Sequence, residues 1–63
     1  MAGVRRAAAR VERVELELAQ ARRDYWRALA DANASGVSLA TLADELGVSR
    51  ERVRQMVGQA RGA

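Results

Sequence analysis

Sixty-three residues allow one domain, 1–63, near the size below which a single core needs support from a disulfide, a metal or a partner subunit. With no Cys and no His the chain has neither disulfides nor the usual zinc ligands, and no catalytic nucleophile or base is placed, so self-association is the support left and an enzyme is not expected. All 11 basic residues are Arg, and the net charge of +3 gathers at the two ends: three Arg and no acid from Met1 to Arg10, four Arg and one Glu from Ser49 onward.

Hydrophobic residues make up 49% of the chain, Ala foremost, and there is no Pro, which points to an all-α fold. From Val4 to Asn33 no Gly or Pro interrupts a run of good helix formers, so residues 4–33 are expected as one helix roughly 45 Å long. A helix of that length in so small a protein should pack against something. Val4, Val11, Leu18 and Tyr25 recur every seven residues, with Ala7, Val14, Ala21 and Ala28 three places later, which are a and d positions over four heptads. The expected dimer seam is Val4, Val11, Val14, Leu18, Ala21 and Tyr25. In a parallel pair Arg10 faces Glu15 of the other copy and Glu17 faces Arg22, exposed pairs worth only tenths of a kcal/mol each. Three of the four d positions are Ala, so a close-packed or antiparallel pair stays open. A solvated surface helix of a monomer is the other reading.

Leu16 lies off this seam. Trp26, Leu29, Ala30 and Asn33 form a second stripe at helical spacing and are expected to dock on the rest of the chain, with Trp26 a core anchor rather than a base-stacking residue. The long helix should stop near Ala34, with Gly36 as its break. Ser38 is then a helix N-cap, and Val37 before it can touch Leu42.

The stretch Leu39 to Gly58 carries the spacing of a helix-turn-helix, expected over residues 38–60. Leu42, Ala43 and Leu46 form one apolar face of a short helix, and Ala43 is small enough to let a second helix cross closely. Gly47 supplies the turn, Val48 dips inward, and Ser49 caps the next helix. Val53, Met56, Val57 and Ala60 line that helix at i, i+3, i+4 and i+7. Asp44 and Glu45 are adjacent, point about 100° apart, and do not converge as an acid–base pair.

Opposite the apolar face of this last helix stand Arg50, Glu51, Arg54 and Gln55, with Arg52 on a flank and Arg61 beyond. A major groove admits a helix, and these residue types suit base edges: Arg pairs with guanine, Gln with adenine, and Glu accepts from cytosine. The free N–H groups and dipole at the helix N-terminus, around Ser49, suit a phosphate. The segment GVSRERVRQM, Gly47 to Met56, resembles the recognition helix with which bacterial sigma factors read the −35 promoter element. That resemblance implies that Arg50, Glu51 and Gln55 read bases while Arg54 and Arg52 hold phosphates; Ser49 and Arg61 complete the expected phosphate set. There is no room for the other sigma-factor regions, so the motif stands on a different scaffold. The layout resembles small actinobacterial and phage DNA-binding proteins, nucleoid-associated ones included.

The sequence thus leads one to expect a homodimer that binds double-stranded DNA in the cytoplasm, at the nucleoid, as a regulator or chromosome organiser. No cofactor, membrane or small-molecule ligand is expected. The alternative is an adaptor that uses the first helix to hold a sigma factor or polymerase.

Overall fold

Nothing between Ala2 and Ala34 breaks a helix, and in the computed structural model, which describes residues 1–62, all 33 of these residues form helix α1 (Ala2–Ala34). At 1.5 Å per residue that is about 50 Å, and the longest dimension of the molecule is 52 Å. Two shorter helices follow, α2 (Leu39–Leu46) and α3 (Arg50–Gly62), and the fold is all-α. The ends shift slightly from the sequence expectation, α1 starting two residues earlier and α3 running two residues further.

The two joints between helices are built alike, on Gly36-Val37-Ser38 and Gly47-Val48-Ser49. At the first, the Val37 N–H donates to the Ala32 carbonyl and the Gly36 N–H to that of Asn33, both at 3.1 Å. At the second, the Val48 N–H donates to Ala43 at 3.1 Å and the Gly47 N–H to Asp44 at 3.4 Å. This is the Schellman pattern, which satisfies carbonyls that the helix end leaves open and needs a residue at positive φ. Gly36 supplies φ 113° and Gly47 φ 67°. Each serine then caps the next helix: Ser38 Oγ accepts from the Thr41 N–H at 3.1 Å, and Ser49 Oγ from the Arg52 N–H at 3.0 Å.

Helix α3 is the centre of the fold, and α1 and α2 both pack on it. Val53 is fully buried, with Met56 and Val57 beside it, Leu29 and Ala30 coming from α1 and Ala43 from α2. Trp26, Leu39, Leu42 and Ala60 close the edges of this cluster. The stripe begun by Trp26 therefore docks as its spacing suggests, and Asn33 ends it by donating from Nδ2 to the Val37 carbonyl at 2.9 Å. Two expected inward residues do not follow. Leu46 and Val48 each keep 38% of their surface exposed. Both stand at the joint after the core-packed part of α2, which reaches α3 through Leu39, Leu42 and Ala43: Leu46 is its last residue and Val48 lies in the turn beyond it.

Every residue from Met1 to Leu18 is exposed; burial along α1 begins only at Ala19. Half of the longest helix thus carries no buried or half-buried residue. The seam residues are open along it, from 61% exposed at Val4 to 40% at Tyr25.

Candidate nucleic-acid interface

The apolar side of α3 is fixed against the core by Val53, Met56 and Val57, which fixes its other side toward solvent. Successive residues turn by about 100°, so the line directly opposite the core runs through Glu51, Gln55, Gly58 and Gly62. Arg50 and Arg54 border that line on one side, Arg52 and Gln59 on the other, and all of them are exposed. The structure thus brings Glu51, Arg54 and Gln55 together, with Arg50 and Arg52 reaching in from opposite flanks. Gly58 was not singled out by sequence reasoning, although its place one turn after Gln55 was readable. Nothing lies within 4 Å of where its Cβ would stand, so the helix backbone is bare there.

Glu51 and Arg54, three residues apart, form a two-pronged ion pair: Arg54 Nε donates to Glu51 Oε2 at 2.9 Å and Nη2 to Oε1 at 2.5 Å. The hydrogen bond from Arg54 holds the Glu51 carboxyl below its usual value and raises the Arg54 guanidinium in return. One expected base reader and one expected phosphate holder are therefore joined to each other in the free protein. At the N-terminus of α3 the Ser49 hydroxyl oxygen takes the Arg52 N–H. The N–H groups of Arg50 and Glu51, in the first turn, have no carbonyl within the helix to accept them.

No protein family, curated protein or solved structure matches the chain.

Arg61 sits apart from the other arginines of α3. Its Nη2 donates to Asn33 Oδ1 at 3.2 Å, so it ties the last turn of α3 to the end of α1. The guanidinium has further N–H groups to offer, but one is given to the fold. This contact joins residues 28 apart, and no local spacing signals it. Between α1 and α3, Arg22, Arg23 and Arg27 line an open groove with the acidic Asp24 and with Ala19, Trp26, Gln59 and Ala60. Those three arginines form no ion pair among the described residues. Basic surface thus extends from α3 onto α1. Among the described residues no group of acidic, His or Cys side chains gathers as a metal ion would need, and no helix is long and apolar enough to cross a membrane.

Proposed function

We propose that the chain is a homodimeric DNA-binding protein that sets α3 in the major groove of duplex DNA, acting as a small transcriptional regulator or a nucleoid-associated protein. The observation that carries this reading is the outward side of α3. It presents Arg50, Glu51, Arg52, Arg54 and Gln55 to solvent within two turns of a helix whose other side is locked on the core. Those side chains have the donors and acceptors that base edges and phosphates match. The capped turn before the helix and the groove arginines of α1 support the same reading. Glu51 reads a base and Arg54 reaches a phosphate once the ion pair between them opens at the DNA. The dimer supplies the second half-site and the support that a 63-residue core lacks.

Selection from a random duplex pool at about 150 mM salt tests this, since affinity carried by phosphates falls steeply with salt. A paired inverted motif is expected for a regulator, and a short motif weakly enriched for a nucleoid-associated protein. Arg50→Ala and Gln55→Ala should each weaken binding by 1–3 kcal/mol or about that and relax preference at one base pair. A well-folded protein that enriches no sequence would turn the reading to an adaptor, with the exposed half of α1 as the surface that holds another protein.

A further inference from the structure

We infer that two copies pair through α1 in antiparallel fashion, about a two-fold axis level with residue 16, so that both α3 helices lie on one side of the dimer. This rests on the homodimeric reading above and adds its orientation. The seam residues Val4, Val11, Val14, Leu18 and Tyr25 are open along α1, and Ala7, Ala21 and Ala28 are open with them. In a parallel pair like meets like. Leu18 faces Leu18 and Tyr25 faces Tyr25, while Ala7, Ala21 and Ala28 each face themselves. Wide layers then hold the helices apart and the alanine layers stay as gaps.

The antiparallel pair sets large against small. Val4 meets the partner's Ala28, Ala7 the partner's Tyr25, and Val11 the partner's Ala21. Val14 meets the partner's Leu18. Layer width is then nearly even along the seam. Charge is divided. Arg10 meets the partner's Asp24 on each side, but Glu15 and Glu17 each come near their own copies at the axis. The parallel pair would match Arg10 with Glu15 and Glu17 with Arg22. Within the chain none of these groups is in an ion pair. Exposed ion pairs are weak and unfilled core layers are costly, so side-chain volume decides the orientation.

The docking site of the motif gives the dimer its use. Trp26, Leu29 and Ala30 lie about a third of a turn around α1 from the seam, so the seam stays clear while α3 is held. A two-fold axis perpendicular to an antiparallel pair keeps both docking sites on the same side. An axis along a parallel pair would put them on opposite sides. Two sites centred near Leu29 are about 40 Å apart along α1, close to the ~34–36 Å between major grooves on one side of DNA.

The chain has no cysteine, so introduced thiols report orientation directly. In a glutathione buffer Val4→Cys alone should stay uncrosslinked, because its two copies lie about 36 Å apart in the antiparallel pair. Val4→Cys with Ala28→Cys should become a covalent dimer. Glu15→Gln should tighten the dimer about two-fold in sedimentation, since it removes a like-charge pair; in a parallel pair it removes an attraction and loosens the dimer. Crosslinking of Val4→Cys alone, or a looser Glu15→Gln dimer, overturns the inference. If neither thiol variant crosslinks, the direction of the Glu15→Gln effect decides. A wild-type chain that sediments as a monomer overturns the dimer itself, while a gel shift with duplex DNA still reports separately on α3.

Discussion

At Gly47 the backbone stands at φ 67°, and nothing lies within 4 Å of the place a Cβ would take. Gly47→Ala therefore changes backbone strain and little else. It should lower stability in urea unfolding by about 1 kcal/mol, with Gly47→Asn losing less because Asn tolerates the left-handed region. Gly36, also in open space, stands at φ 113°, further from what an L side chain adopts, and Gly36→Ala should lose more. An equal loss at the two sites would show that the turns are not held at these angles. Both glycines, and the serines two places after them, were legible in the sequence because Schellman ends and N-caps are local rules acting over six residues or fewer. The Glu51–Arg54 pair obeys a rule just as local, opposite charges at i and i+3, but sequence reasoning gave the two residues separate roles on DNA and did not pair them. The Glu51 carboxyl is held below the usual value, so both partners are charged at neutral pH, and the pair is lost as acid titrates Glu51 through its lowered pKa. Arg61 was not legible in this way. Its bond to Asn33 depends on how α1 crosses α3, and the residue was read from its charge alone as a phosphate contact.

For the elements, spacing tells which side of a helix is apolar but not what covers it. Val53, Met56 and Val57 were readable as a buried line because α3 is covered by both neighbours. Leu46 and Val48 carry the same apolar chemistry, yet each keeps 38% of its surface exposed, because Leu46 ends α2 and Val48 lies in the turn beyond it, past the residues that pack on the core. The outward line of α3 makes a sharper test. Gly58 is a poor helix residue in the middle of a 13-residue helix, and its surroundings are empty. Gly58→Ala should therefore stabilise the protein by about 1 kcal/mol, seen as a higher urea midpoint with an unchanged slope. If α3 lies in a groove with Gly58 against the DNA, the same variant should bind duplex DNA more weakly. A variant that is both more stable and equally tight on DNA would move the contact surface toward the first turn of α3 and leave Glu51 and Gln55 with the flanking arginines to make it.

The whole molecule is a small core with a long lever. The core gathers six buried side chains around α3, whereas α1 carries an apolar stripe over four heptads with nothing upon it. Most helical stability in proteins comes from packing of an apolar face rather than from propensity. A helix left half uncovered is thus the part of the fold most dependent on a second copy. Leu18 is the largest aliphatic side chain of the stripe and faces the seam near its middle; Leu16, two residues away, is 72% exposed and points elsewhere. The two leucines separate seam from surface within one helical turn. Leu18→Glu places a charge in the seam in either orientation of the pair, and should weaken dimerisation at least tenfold, on the order of 1.4 kcal/mol or more. Circular dichroism should then lose helix as the free half of α1 frays, while the single tryptophan, Trp26, reports an intact core through its fluorescence. Binding to a duplex with two half-sites should fall toward that of one half-site, because the second motif no longer arrives tethered to the first. Leu16→Glu, with the same change in charge and hydrophobicity, should leave association, helicity and DNA affinity as they were. If both variants act alike, the effect belongs to charge on α1 and the stripe is a solvated face. If only Leu18→Glu acts, the lever is what turns a marginal core into a protein that holds two reading helices at a fixed distance.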